Sequence, residues 1–177
     1  MMKYSYIMIA ILSISLPCSN SAFSQVMEMG VYNVNGVKYK VDRIANETVT
    51  IVIPRDTEVQ PDNPETVDGM PTEILIQGLI VRRYDDWFKY AKETLSTSRI
   101  SQLNANNDWI RFHYYLKSDG TCFYGSFNLN SSSSLTLREI AAMYMHIKSN
   151  FKPCLMSLDA RHLQLSWIPV DGGRQIF

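Results

Sequence analysis

The sequence lacks an excess of charge of either sign. Its 177 residues include 17 basic and 17 acidic side chains. Residues 25–177 keep every acidic residue and lose only Lys3, so their net charge is −1. Proteins that bind a nucleic-acid backbone concentrate positive charge on one surface. The charge balance therefore argues against a nucleic-acid partner.

Long apolar runs are also missing beyond the N-terminus. After residue 24, no apolar stretch approaches the roughly 20 residues that a helix needs to span a bilayer. The first residues combine Lys3, a short apolar run over 6–16 and small residues at 22–24, which is typical of a secretory signal peptide. We expect cleavage near Ser24/Gln25 and an exported product, either periplasmic or secreted. The alternatives are a retained anchor and a lipidated Cys18.

Patterns for metal binding and catalysis are scarce. His113, His146 and His162 stand on separate predicted elements, without the short spacing of zinc ligands. No glycine-rich phosphate loop or serine nucleophile elbow occurs in the sequence. Cys122 and His113 share a predicted hairpin, but about 13 Å of strand separates them, too far for a thiol and its base. The sequence therefore predicts no cofactor, no metal and no enzymatic activity.

Cysteine is rare, with three residues in the whole chain. Cys122 and Cys154 remain after cleavage, and an even pair in an oxidising compartment could form one disulfide. The second strand runs away from the turn and the predicted helix runs back towards it, which brings Cys154 near the level of Cys122 along the hairpin. The hairpin register, however, places Cys122 on the face opposite that helix. A disulfide and two free thiols both stay open.

The strongest signal that the sequence does contain is a hairpin turned by Asp119-Gly120. A two-residue type I′ turn there sets the register. The facing pairs are then Leu116 with Phe123, Tyr114 with Gly125, Phe112 with Phe127 and Ile110 with Leu129. One face of the hairpin is apolar, and the other is polar and aromatic: Trp109, Arg111, His113, Tyr115, Lys117, Cys122, Tyr124, Ser126 and Asn128. This mixture suits recognition of a peptide or a sugar. The N-terminal half, however, has apolar faces of its own that need a partner, and we expect it to pack over this face.

Further elements follow from hydrophobic periodicity and turn residues. A hairpin turned by Asn35-Gly36 is predicted first, in which Val34 faces Val37 and Tyr32 faces Tyr39. Further strands are predicted over 49–53 and 74–81. In the last predicted strand, Leu163, Leu165 and Trp167 alternate with polar residues. Residues 54–73 form a proline-rich loop. The predicted helices are 84–98 and one that begins at the capping box Thr136–Glu139 and ends at Pro153.

These elements predict an α+β fold with an antiparallel sheet and two main helices. The chain divides into a signal peptide (1–24) and one domain (25–177). Within the domain we distinguish a β-rich half (25–81), a helix with its link (82–108) and a ββαβ module (109–170).

The module resembles the TonB C-terminal domain family. The likeness rests on the strand Ile110–Tyr114, the Asp119-Gly120 turn, a serine connector, a helix closing on Phe151-Lys152-Pro153 and the segment Leu163–Val170. Residues 84–95 are similar to a short helix upstream of the domain in Bacteroidetes members. The resemblance implies a helix on a three-stranded sheet whose last strand, 163–170, is an open edge. Family members add a partner's strand to that edge. The Tyr-Pro usual before the first strand is missing, as are the membrane anchor and the proline-rich spacer.

Two functions follow as expectations. The first is an exported non-catalytic protein that engages a protein or peptide partner in the envelope by strand addition. The second is a small-molecule or glycan binder that uses the polar aromatic face of the 109–129 hairpin. The candidate binding residues are Trp109, Arg111, His113, Tyr115, Tyr124, Leu163, Leu165 and Trp167.

The signal-peptide assignment predicts the N-terminus of the exported chain. When the full-length protein is expressed in a bacterium that recognises its signal, N-terminal sequencing of the envelope or culture fraction should begin at Gln25. A chain that keeps residues 1–24, or a lipid-modified Cys18, would contradict the assignment.

Overall fold

The computed structural model describes residues 27–43, 49–55, 62–157 and 159–177. The predicted signal peptide, residues 1–24, lies outside these ranges. Within them, no helix is long and apolar enough to cross a bilayer.

An Asn-Gly turn closes the first hairpin, as predicted. The antiparallel strands β1 (Gly30–Val34) and β2 (Val37–Arg43) have the expected register. Asn35 and Gly36 have φ values of 52° and 84°, the left-handed pair that a type I′ turn requires. β3 (Val49–Arg55) pairs with β2 and contains the predicted strand 49–53.

The stretch from residue 62 to residue 105 forms short elements in place of the predicted long ones. They are β4 (Thr66–Val67), β5 (Met70–Pro71), α1 (Thr72–Gln77), β6 (Ile80–Arg82), α2 (Trp87–Glu93) and α3 (Thr97–Ala105). In the predicted loop 54–73, residues 56–61 lie outside the described ranges, and 66–71 form the β4–β5 hairpin.

Two predictions in this stretch are wrong. The predicted strand 74–81 is helical up to Gln77, because a short apolar run does not distinguish a buried strand from a helical segment. The predicted helix 84–98 is divided between α2 and α3. Ser96, which separates them, has an extended backbone, and its side chain caps α3 by accepting a hydrogen bond from Arg99 N at 3.2 Å.

The central hairpin pairs β7 (Trp109–Leu116) with β8 (Cys122–Asn130). The predicted pairs Ile110–Leu129, Phe112–Phe127 and Tyr114–Gly125 are all present.

The tip of this hairpin differs from the predicted type I′ turn. Gly120 N donates to Lys117 O at 2.9 Å, and Gly120 has a φ of 83° whereas Asp119 does not have a positive φ. This is a three-residue loop with a glycine bulge. Leu116 therefore pairs with Cys122 instead of Phe123, and one extra residue in β8 restores the predicted register beyond it.

The long helix α4 (Leu137–Asn150) begins at the predicted capping box and ends ahead of Pro153. Thr136 Oγ1 accepts from Glu139 N at 3.2 Å, and Glu139 Oε2 accepts from Thr136 N at 2.8 Å. Arg99 Nε donates to Glu139 Oε1 at 2.7 Å and ties α3 to the start of α4.

The chain ends with β9 (Cys154–Met156), a 3₁₀ helix (Ala160–Gln164) and β10 (Ile168–Ile176). The predicted last strand over Leu163, Leu165 and Trp167 is wrong, because Leu163 belongs to the 3₁₀ helix and the strand begins only at Ile168. A bulge between Asp171 and Arg174 interrupts β10, so its sequence does not alternate as a regular strand would.

The large strands form one antiparallel sheet in the order β1-β2-β3-β8-β7-β10. The N-terminal hairpin therefore extends the sheet edge to edge through β3, and the expectation that it would pack over the polar face is wrong. β6 and β9 form a separate two-stranded pair. The architecture is α+β, as predicted.

Helices α2 and α4 cover one face of the sheet. Trp87 of α2 lies 5.4 Å from the Phe112 ring and 6.4 Å from the Phe127 ring, between ring centroids, and Tyr144 of α4 lies 6.4 Å from Phe127. Trp87 is fully buried, and its indole N–H donates to Gly172 O at 2.8 Å. This aromatic cluster joins the helices to β7, β8 and β10.

Gly125 is required by the packing of Phe112. A Cβ at position 125 would lie 2.3 Å from Phe112 Cε2, and the Phe112 ring is held by Phe127 at 4.6 Å and Tyr114 at 5.2 Å between centroids. We expect Gly125→Ala to lower the free energy of unfolding by about 1–3 kcal/mol, measured by urea denaturation. Ser126→Ala, on the opposite face, is the matched control and should change it by less than about 0.5 kcal/mol. Equal losses in the two variants would contradict this packing argument.

Candidate binding face

The face of the sheet opposite the helices carries the residues that the sequence singled out. Along β7, side chains alternate strictly between buried and half-buried positions. The half-buried residues of β7 and β8 and the exposed residues of β10 on this side form what we call the open face: Trp109, Arg111, His113, Tyr115, Tyr124, Ser126, Asn128, Pro169, Asp171 and Arg174. Trp109, Arg111, His113, Tyr115 and Tyr124 are thus brought to one side of the sheet, as predicted.

An ion pair between β7 and β10 occupies the middle of the open face. Arg111 Nε donates to Asp171 Oδ1 at 2.9 Å, and Arg111 Nη2 contacts Asp171 Oδ2. Asp171 Oδ1 also accepts from Gly173 N at 2.9 Å, which fixes the bulge of β10. The hydrogen bond from Arg111 is the main cause that lowers the pKa of Asp171 to about 2. At neutral pH the two charges therefore compensate each other.

His113 lies beside this ion pair. Its Nδ1 is 3.8 Å from Asp171 Oδ1. Burial is the main cause that lowers the pKa of His113 below its usual value; the nearby Asp171 acts in the opposite sense, and Arg111 lowers it further. His113 is therefore neutral at pH 7, with one ring nitrogen as a donor and the other as an acceptor.

Aromatic rings stand at both ends of the open face. At one end, the Tyr115 ring lies 5.3 Å from that of Tyr124 and 5.4 Å from that of Trp167, between centroids. At the other end, the guanidinium of Arg174 lies 4.4 Å from the centroid of the Trp109 ring, a cation–π contact. Tyr115 lies six positions after Trp109 on β7, which is about 20 Å of strand.

A cleft of about 530 Å³ lies along the middle of this face. Its lining includes His113, Tyr115, Ser126, Asn128 and Asp171. Its size is in the range of sites that hold small organic ligands.

Two of the predicted site residues lie apart from this cluster. Leu165 is in the core with 3% of its surface exposed, and Leu163 is 60% exposed on the 3₁₀ helix. They were assigned to a strand that is not formed. Trp167, just ahead of β10, does reach the open face through its contact with Tyr115.

The disulfide between Cys122 and Cys154, one of the two alternatives that the sequence left open, is not formed. Cys154 is a free, exposed thiol on β9, which pairs with β6. The side chain of Cys122 lies outside the described residues. Within those residues, no group of three or more His, Cys, Asp or Glu side chains is arranged to hold a metal ion.

Sequence reasoning missed Asp171 and Asn63. Asp171 precedes Gly172-Gly173, which follow the predicted last strand. A glycine pair at this place can mark a bulge within a longer strand, and the carboxylate before it would then have been recognised as the group that caps the bulge. Asn63 binds the backbone at residues 166 and 167, a contact across more than a hundred residues that no local pattern shows.

β10 lies at one edge of the sheet and pairs with β7. Its exposed residues include Pro169, Asp171 and Arg174, and the bulge falls within it. Proline, charges and bulges at an edge strand all discourage pairing with a further strand.

A second cleft, of about 440 Å³, lies between α1 and the β6–β9 pair. Its lining is mainly apolar and includes Met70, Ile74, Ile80 and Met156.

The sequence matches no protein-family model and no curated protein. Among solved structures, the chain is similar to a DUF5043 family protein from Bacteroides uniformis, determined at 1.85 Å resolution. The TM-score is 0.62 at 10% sequence identity, and the match covers 86% of each chain. The likeness concerns the fold alone.

The lowered pKa of Asp171 predicts a pH-dependent contribution to stability. Because this pKa is about 2 in the folded chain, against an ordinary value of about 3.9, ionised Asp171 stabilises the fold above about pH 4. This contribution is lost as the pH falls towards 2. The side chain is 44% exposed, so we expect about 1 kcal/mol or less.

The measurement compares the free energy of unfolding of the parent and of Asp171→Asn between pH 2 and pH 6. The difference between the two should shrink as the pH falls through this window. Glu93→Gln is the control, because it removes a carboxylate near His146 on the helical side. In this variant the contribution of Asp171 to the free energy of unfolding should be the same as in the parent. A difference between parent and Asp171→Asn that is constant over the window would contradict the prediction.

Proposed function

We propose that the chain is an exported, non-catalytic binding protein that holds a neutral, sugar-containing ligand against the open face. The observation that carries the proposal is the combination of aromatic rings at both ends of this face with uncharged or mutually neutralised polar groups between them. Pockets for organic ligands commonly combine aromatic surface with a few well-placed polar groups.

The electrostatics of the cleft favour an uncharged ligand. Arg111 and Asp171 are bound to each other, and Arg174 lies over Trp109. A charged ligand would have to displace one of these contacts. Neutral His113, Ser126 and Asn128 offer both donors and acceptors to hydroxyl groups.

The aromatic rings supply the apolar part of the contact. Tyr115 and Tyr124 present flat apolar surface together with a hydroxyl group. The C–H faces of sugar rings pack on such surfaces while their hydroxyl groups bond to the neighbouring polar side chains. The roughly 20 Å between the two aromatic ends accommodates a short oligosaccharide better than a single sugar.

Strand addition at β10 is the second candidate. The position of β10 at the edge of the sheet favours it, as does the resemblance of residues 109–170 to TonB C-terminal domains. In line with that resemblance, β10 pairs with β7, β7 with β8, and α4 contacts β8. Against it stand Pro169 and the bulge with its charged residues, which interrupt the backbone that an added strand would pair with.

A glycan array followed by calorimetric titration tests the first proposal. We expect the chain to bind neutral oligosaccharides and Tyr115→Ala to weaken the affinity at least about tenfold, or about 1.4 kcal/mol. Asn128→Ala should weaken it less, because one hydrogen bond is lost. Tyr84→Ala is the matched control: Tyr84 is an exposed tyrosine whose carbonyl accepts from Tyr114 on the helical side, and the variant should bind like the parent.

Two results would contradict the proposal. One is the absence of binding to any neutral oligosaccharide on the array. The other is a Tyr115→Ala variant with parental affinity. A protein partner captured from the envelope that Tyr115→Ala still binds would instead favour strand addition, because backbone hydrogen bonds carry that mode of binding.

A further inference from the structure

Trp167 reaches the open face from a segment that has no regular structure. It stands between the 3₁₀ helix and β10, and its ring meets the Tyr115 ring edge-on, at 5.4 Å between centroids with an interplanar angle of 82°. Neither a helix nor a strand fixes its backbone, so other contacts must place it.

Asn63 supplies those contacts. Its amide oxygen accepts from Ser166 N at 2.7 Å and from Trp167 N at 3.2 Å, and its amide nitrogen donates to Trp167 O at 2.8 Å. One side chain thus binds three backbone groups of two consecutive residues. Both the donor and the acceptor of the amide are needed, and asparagine has them on one short side chain.

The segment that carries Asn63 is itself fixed. The hydroxyl of Thr72, at the start of α1, donates to Pro64 O at 2.5 Å, and Thr72 N donates to Glu65 O at 3.0 Å. Thr72 is buried. These hydrogen bonds anchor the residues that follow Asn63 to the start of α1. Through Asn63, α1 therefore helps to set the position of Trp167.

We infer that Asn63 is the positioning residue that holds Trp167 against Tyr115 and thereby completes the aromatic end of the open face. The inference that this affects ligand affinity rests on the proposed function. The placement of Trp167 by Asn63 does not, and the two are tested separately.

Tryptophan fluorescence tests the placement. The chain has three tryptophans, and Trp87 is fully buried. In a Trp109→Phe background, changes in emission and in acrylamide quenching therefore report on Trp167. We expect Asn63→Ala to shift the emission to the red and to increase quenching, because the loop at 166–167 loses all three contacts.

Three further variants sharpen this test. Asn63→Asp keeps the acceptor oxygen but sets a second carboxylate oxygen, also an acceptor, against Trp167 O, to which the amide donated. Its quenching should therefore also exceed that of the parent. Gln164→Ala removes a nearby hydrogen bond to Asp68, at 3.1 Å, without touching residues 166–167, and should leave the emission unchanged. If Asn63→Ala does not fold, Asn63→Ser, whose hydroxyl is too short for all three contacts, takes its place. Parental quenching in the folded Ala or Ser variant, or in Asn63→Asp, overturns the inference.

Affinity for the oligosaccharide selected on the array tests the link to binding, with Trp109 intact. We expect Asn63→Ala to weaken the affinity at least about threefold, and Gln164→Ala to have no effect. If Asn63→Ala displaces Trp167 and leaves the affinity unchanged, the role of Asn63 in binding is overturned. If Trp167 moves and the parent binds no oligosaccharide, the proposed function fails while the placement of Trp167 by Asn63 stands.

Discussion

The alternation of side chains along β7 is the constraint on which the rest of the structure depends. β7 is paired on both sides, with β8 and with β10. Because successive side chains of a strand point to opposite faces, its residues point alternately into the core and onto the open face. A slip of one residue would exchange the two sets. Gly125 on β8 and Gly172 on β10 help to fix the register, because a Cβ at Gly125 would collide with the Phe112 ring and one at Gly172 with the Trp87 indole.

The same constraint shapes the chemistry of the open face. β10 must pair with β7 and also leave room for Trp87, whose indole N–H donates a hydrogen bond to Gly172 O. The bulge at Gly172-Gly173 meets both needs, and the Asp171 carboxylate caps it by accepting from Gly173 N. Arg111 on β7 then pairs with this carboxylate. A backbone requirement in the core thus leads to a neutralised ion pair in the middle of the open face.

The sequence predicts this fold well where local rules act and poorly where they do not. The Asn35-Gly36 turn, the body of the central hairpin and α4 with its capping box follow from turn residues, alternation and caps. At the hairpin tip the predicted turn type is wrong, but the bulge in β8 restores the predicted register of the two strands. The 74–81 stretch, the divided helix and the start of β10 were missed. Their short apolar runs fit more than one element, and tertiary contacts decided between them. Six of the predicted site residues lie on or against the open face. Five of them were identifiable because they lie on the hairpin, whereas Trp167 was named for a strand that is not formed.

The residues of the polar face do not themselves determine whether the N-terminal hairpin covers it. An N-terminal hairpin with one apolar face can bury that face in two ways. It can pack over the central hairpin, or it can join the same sheet and share its helical layer. The second arrangement is adopted: Tyr39 and Val41 of β2 are buried, and Tyr39 meets Tyr144 of α4 at 6.5 Å between ring centroids. Because α4 is long enough to contact β3 as well as β8, one helical layer serves both halves of the sheet. The aromatic and polar side chains opposite are then left half-buried or exposed at the surface.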